Sequence, residues 1–158
     1  MSERLVAALD GLQFPWCAGC GDCCHMPWLM DEEAVEGVPL EEEGGARFIA
    51  SQPGCAACVA KANGLCTVYA QRPLDCRLFP LDIIEEGGVY WWCVYQSCRH
   101  PGPLGELLIT RIPALEAAMT PAIWAQFVRQ IAVTKETYPP YRDGQYRLVR
   151  EVCLPGIL

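Results

Sequence analysis

The chain reads as a small α+β protein: a cysteine-rich, metal-centred loop core, a β-hairpin that a third antiparallel strand can extend, and a helical C-terminal third. Three observations predict this. Ten of its eleven cysteines fall between residues 17 and 98, a density several times ordinary usage. Two runs, Leu-Asp-Ile-Ile-Glu-Glu and Val-Tyr-Trp-Trp-Cys-Val-Tyr, flank Gly87-Gly88, a pair suited to the positive-φ positions of a hairpin turn. From Leu104 onward the composition is helical, and Thr120-Pro121 forms a cap-and-start pair.

At 158 residues the chain is expected to be a single domain, with a metal-binding core over 17–100 and a helical and strand extension over 101–158. The first sixteen residues offer no signal peptide, because the apolar stretch Leu5 to Leu9 is cut short by Asp10 and Gly11. No apolar run approaches the roughly 18 residues of a membrane span. The expectation is a soluble, cytoplasmic monomer in a reducing compartment, where thiols favour metal ligation over disulfides, and the odd cysteine count agrees. A net charge of −7 with only two lysines argues against nucleic acid as a partner, since phosphate binding depends on clustered basic residues.

Residues 2–10 read as a short helix capped by Ser2, with Leu5, Val6 and Leu9 on one side and Gly11 as the stop. Phe14, Pro15 and Trp16, an apolar wall, lead into Cys17-Ala-Gly-Cys20-Gly-Asp-Cys23-Cys24, four thiols in eight residues. Two successive C-x-x-C steps bring three sulfurs round one side of a tight turn, which Gly19 and Gly21 permit by lacking a Cβ. Adjacent side chains diverge, so Cys23 and Cys24 suit two neighbouring sites or one polynuclear cluster with a second anchor. A vicinal disulfide is the alternative and needs a strained ring. His25, Met26 and Met30 are soft donors in principle. Thiolates outcompete thioethers, so the methionines read as core, while ligation by His25 stays open.

Asp31 reads as the cap of a helix through Val35. Glu41-Glu42-Glu43 reads as the solvated first turn of a further helix that carries Phe48 and Ile49 inward; a calcium site needs more assumptions. Residues 53–80 hold Cys55, Cys58, Cys66 and Cys76 among Pro53, Gly54, Gly64 and Pro73, a loop-rich segment that wraps a metal well and folds poorly without one. The hairpin spans Leu81 to Tyr95, and Cys98 follows in a loop. Leu104 to Met119 has helical composition broken at Pro113. Thr120-Pro121 opens a helix with Ile123, Phe127, Val128 and Ile131 on a core-facing side. Tyr138-Pro-Pro-Tyr141 ends it, and Tyr146 to Val152 supplies the third strand. Cys93 and Cys153, in predicted strands, read as buried apolar thiols.

Thiolate-rich sites suit zinc and iron–sulfur clusters, with copper(I) third. Two tetrathiolate zinc sites would be closed and structural. A C-x-x-C-x-x-C run plus a distant cysteine is also the spacing of ferredoxin-like [4Fe-4S] binding. Spacing alone leaves both open.

Cys17-x-x-Cys20-Gly-x-Cys23-Cys24, then Cys58 eight residues before Cys66, then Cys66-Thr-Val-Tyr69-x-x-Arg72-Pro73-x-x-Cys76-Arg77-Leu-Phe79-Pro80 together resemble the YkgJ-like family of CxxCxxCC proteins, described as zinc- or iron-chelating. The resemblance implies that Cys17, Cys20, Cys23, Cys24, Cys58, Cys66 and Cys76 are metal ligands, with Cys98 as the eighth, where family members carry a further cysteine. Cys55 makes an extra C-x-x-C with Cys58 and is a metal-ligand candidate outside the family pattern. Tyr69, Arg72 and Arg77 are cofactor-site candidates. Their guanidiniums either pair with Asp75, Asp22 or loop carbonyls, or donate to sulfurs and offset the negative charge of the site.

The resulting expectation is an iron-binding protein with a [4Fe-4S] or related iron–sulfur cluster, in a redox or cluster-dependent protein-modification role. A flagellin lysine methylase is similar to the family in its cysteine core, so the resemblance extends to modification with S-adenosylmethionine, although no glycine-rich nucleotide loop follows a strand here. Expected partners are metal ions and a protein substrate or redox partner. The alternative is a non-enzymatic zinc-binding module with tetrathiolate sites. A metal chelator or chaperone, and cysteine nucleophilic catalysis with His25 or His100, rank behind.

Overall fold

The structure, a computed structural model, describes residues 3–12, 25–54, 57–63, 65–96, 98 and 101–158. Its elements are α1 (Glu3–Ala7), β1 (Trp28–Leu29), β2 (Leu40–Glu43), β3 (Ala46–Ile49), β4 (Lys61–Ala62), β5 (Leu65–Cys66), a 3-10 turn (Tyr69–Gln71), α2 (Leu74–Leu78), β6 (Leu81–Glu86), β7 (Val89–Tyr95), α3 (Pro101–Ile109), α4 (Ile112–Ala118), α5 (Pro121–Thr137), α6 (Pro139–Arg142) and β8 (Tyr146–Glu151). The strands form antiparallel sheets in the orders β1-β3-β2, β4-β5 and β6-β7-β8. The class is small α+β, with most of the helix in the C-terminal part, as the sequence predicts.

Gly87 and Gly88 take φ of 63° and 83°, values that carry no strain only where a Cβ is missing. The β6–β7 register follows from that turn, with Leu81 opposite Val94 and Glu86 opposite Val89. The expected third strand, β8, pairs with the other edge of β7 and sets Tyr146 opposite Tyr95, with a bulge between Trp92 and Cys93. Ile83, Ile84, Trp92 and Tyr95 are fully buried.

The acidic run departs from expectation. Glu41, Glu42 and Glu43 lie on β2, an exposed edge strand, and not in a helix. Gly44 and Gly45, with φ of 57° and 78°, turn the chain straight back into β3, where Phe48 and Ile49 are buried on opposite faces, each in its own apolar cluster. Charges on an edge strand also oppose pairing with another chain. The helix expected over Asp31 to Val35 is likewise absent, because tertiary partners take its polar groups. Asp31 donates its N–H to Gln126 Oε1 at 2.7 Å and pairs with Arg129 at 2.6 Å. The Arg47 guanidinium bonds the carbonyls of Met30 and Glu33.

Helix α5 joins the two three-stranded sheets by packing on β3 and β6. Thr120 caps it, its hydroxyl accepting from Ile123 N at 3.2 Å, and proline follows at the first helical position. Ile123, Phe127 and Ile131 are buried as expected, and Val128 is partly so. Phe127 meets Trp28 edge-on, ring centroids 5.0 Å apart, and Trp124 meets Tyr90 at 4.9 Å. Each such side chain is worth about 1.5–3 kcal/mol on burial. The interruption at Pro113 resolves into two helices, α3 and α4.

Cys93 is fully buried on β7, as predicted. Cys153 is not: it is exposed beyond the end of β8. Its backbone N–H donates to Glu116 Oε1 at 2.9 Å, the atom that also accepts Trp92 Nε1 at 2.9 Å, and this contact holds the departing chain on α4 while the thiol faces solvent.

Candidate metal centre

Cys17, Cys20, Cys23, Cys24 and Cys55 lie outside the described residues, as do Ser2, Phe14, Pro15 and Trp16. Their neighbours are described. His25, directly after Cys24, forms an antiparallel bridge with Ala57, directly before Cys58, while Cys58 itself bridges Ser51. The residue that follows the four-cysteine run and the residue that precedes Cys58 are therefore adjacent in backbone.

Cys58 is buried with Leu29, Val35, Ile49 and Ala60. Its carbonyl accepts Lys61 N at 3.0 Å, and Lys61 pairs with Cys66 across β4–β5. Thr67 N on the Ala60 carbonyl at 2.9 Å closes the same unit. The Gln52 amide adds bonds to the carbonyls of Cys58 and Lys61 at 3.1 and 2.9 Å. Short ladders and side-chain clamps thus fix two candidate ligands in a segment that lacks long helices or strands.

Cys76 is half-buried on α2. Two carboxylate contacts tie that short helix to distant segments of the chain. Glu33 Oε2 accepts Leu74 N at the helix start, 2.7 Å, while its other oxygen accepts Met30 N at 2.9 Å; an acid there also complements the helix dipole. Burial raises the pKa of Glu33 against those two bonds. From within α2, Asp75 Oδ2 accepts Trp28 N at 3.1 Å. The segment leaving the cysteine run is thereby tied to the helix that carries Cys76.

A cavity of about 20 Å³ opens between these elements and α5, lined by His25, Asp75, Cys76, Phe79, Asp82 and Gln130 among others. It is about the size of one water. Asp75 and Asp82 retain some surface where they line it, yet protein atoms crowd their carboxyl groups as in an interior. Desolvation therefore raises both, Asp82 to about 7 and Asp75 well above the usual carboxylate range, where the neighbouring Asp82 adds to the effect. The Tyr95 hydroxyl, on the neighbouring strand, is close enough to lower the pKa of Asp82 but lies outside hydrogen-bonding geometry. Its ring stacks on Phe79 at 5.8 Å. This acidic lining was not among the site residues expected from sequence. The local signal is an acid set between the buried Leu81 and Ile83 at the start of β6, with Asp82 opposite Cys93.

Arg72 lies with its guanidinium carbon 3.9 Å from the centroid of the Tyr69 ring and donates to the Tyr69 carbonyl at 3.1 Å. Arg77 donates to the carbonyls of Arg72 and Ala70 at 3.2 and 3.3 Å. Among the described residues loop carbonyls, not Asp75, hold the guanidiniums, and Asp22 lies outside the described residues. Cys98 is half-buried and packs on the main core. Among the described residues no group of three or more His, Cys, Asp or Glu side chains is arranged to hold a metal ion; the structure places His25 and Cys76 on one cavity and links Cys58 to Cys66 through Lys61, without assembling a full ligand set. The donors fit a soft or borderline metal: thiols on short, cross-braced loops, with His25 beside one of them.

Among the described residues no helix is long and apolar enough to cross a membrane. Comparison with curated proteins and with solved structures finds no match. The CxxCxxCC family, described as "Putative zinc- or iron-chelating domain", matches residues 16–99, a stretch that holds every candidate ligand from Cys17 to Cys98. Since that stretch is more than half of the chain, the protein belongs to the CxxCxxCC family of metal-chelating domains.

Proposed function

We propose that the protein holds iron, as a [4Fe-4S] or related iron–sulfur cluster, in a redox or cluster-dependent protein-modification role in the cytoplasm. Cys17, Cys20, Cys23, Cys24, Cys58, Cys66, Cys76 and Cys98 are the ligands in this reading, with Cys55 as a further donor. The chain acts as one domain and as a monomer, its core over 17–100 and its extension over 101–158. The observation that carries the reading is the position of His25. It is bridged to Ala57 and lines one cavity with Cys76, so the exit of a C-x-x-C-x-x-C run lies beside two distant cysteines, the arrangement that suits a cluster.

Such a cluster, when bound, supplies electron-transfer or Lewis-acid chemistry. The chain's own residues support it in three ways. Glu33 and Asp75 fix the helix that bears Cys76. Arg72 and Arg77, always protonated, offset thiolate charge, and Tyr69 orients the first of them. Phe79 and Tyr95 keep water from that flank.

Anaerobic purification tests the proposal. The expected result is a brown protein with broad absorbance near about 400 nm and iron by elemental analysis. A colourless protein with stoichiometric zinc overturns it and leaves a structural tetrathiolate module. S-adenosylmethionine binding by the iron-loaded protein separates protein modification from electron transfer.

A further inference from the structure

Arg72 and Arg77 share a second setting, on the side of α1. With Val6, Leu9 and the turn Asp10–Leu12 they line a polar pocket of about 140 Å³. Among the described residues neither guanidinium is ion-paired, although acids outnumber bases nineteen to twelve in the chain. Backbone carbonyls hold both head groups in place. One bond fixes Arg72 and two fix Arg77, so donors of each five-donor fork remain. Two neighbouring cations, pre-ordered and with no ion-paired carboxylate among the described residues, can take an anion.

The rest of the lining narrows the ligand. Asp10 brings the pocket's formal charge to +1, which favours a monoanion over a dianionic phosphate. Val6, Leu9 and Leu12 offer an apolar wall to a hydrocarbon stem. The volume is well below the roughly 300 Å³ at which pockets take drug-sized ligands. We infer that this pocket binds the carboxylate of a short aliphatic acid, free or as part of a larger molecule, with Arg72 and Arg77 as its anchors. The inference does not depend on which metal the cysteines hold.

Calorimetric titration of the protein as purified, metal included, with propionate and with inorganic phosphate at low salt tests this. Propionate is expected to bind more tightly than phosphate. Arg72→Gln and Arg77→Gln are each expected to weaken propionate about tenfold or more, the scale of a lost charge-assisted bond, and Arg72→Lys to lose most of that affinity because it keeps the charge without the fork. Asp10→Asn, at an exposed position, is expected to move the preference toward phosphate, and it serves if an arginine variant does not fold. No propionate binding, binding indifferent to both arginines, tighter binding of phosphate, or a preference unmoved by Asp10→Asn would each overturn the assignment.

Discussion

Asp75 accepts the backbone N–H of Trp28 at 3.1 Å across 47 residues of chain, and in doing so joins the segment leaving the cysteine run to the helix bearing Cys76. Asp75→Ala leaves that N–H without an acceptor, at an expected cost of about 1–3 kcal/mol. Asp75→Asn keeps an acceptor oxygen and removes a carboxyl that burial already makes hard to ionise, so most of the stability should remain. Urea unfolding of the two variants separates these outcomes; equal losses would contradict the role given to the bond.

Asp82 predicts a pH dependence. Burial lifts its pKa to about 7, from about 3.9 in an unfolded chain, so the folded state holds the proton more tightly. Its contribution to stability is full below about pH 4 and is lost as pH rises through about 7. Asp75, Cys93, Tyr95 and Tyr141 couple to it electrostatically. Asp82→Asn should therefore gain on the wild type steadily between pH 4 and 7 and no further above that. A stability difference that stays flat over this range would refute the shift.

The turn after β2 gives a graded steric prediction. A Cβ on Gly44 would lie 2.7 Å from Val133 Cγ2 on α5, whereas one on Gly45 would meet the flexible Arg129 side chain at 3.2 Å. Both positions carry the cost of positive φ, about 1–2 kcal/mol. Gly44→Ala should destabilise further, by an overpacking cost of about 1–3 kcal/mol. Thermal unfolding in which Gly45→Ala is the worse variant would contradict the packing described.

Thiol reactivity distinguishes the two cysteines assigned to neither motif nor loop core. Cys153 is exposed, so it should alkylate in the native protein. Cys93 is buried, with its pKa pushed well up first by desolvation and then by Asp82; it should react only on unfolding. Mass mapping after brief iodoacetamide treatment checks both, and native labelling of Cys93 would count against its placement.

What the sequence made legible is local. Gly87-Gly88 between two runs rich in β-branched and aromatic residues, and Thr120-Pro121 ahead of α5, carry their own instructions, and the spaced cysteines mark the stretch that the family match covers. The misread segments are those decided at a distance. Three consecutive glutamates suit a helix start, but α5 sits over Gly44 and Gly45 and the chain pairs as a hairpin. Asp31 to Val35 lost its helix to Arg47, Gln126 and Arg129. The acids of the central cavity were not legible as a pair for the same reason, since Asp75 and Asp82 come together only once Trp28, His25 and Tyr95 are packed around them.

Metal per chain in anaerobically purified Cys76→Ser and Cys153→Ser, set against the wild type, probes the cysteine centre most directly. The Cys76 variant should lose its iron and much of its solubility together, while the Cys153 variant keeps the wild-type content. Unchanged iron in Cys76→Ser would contradict the account.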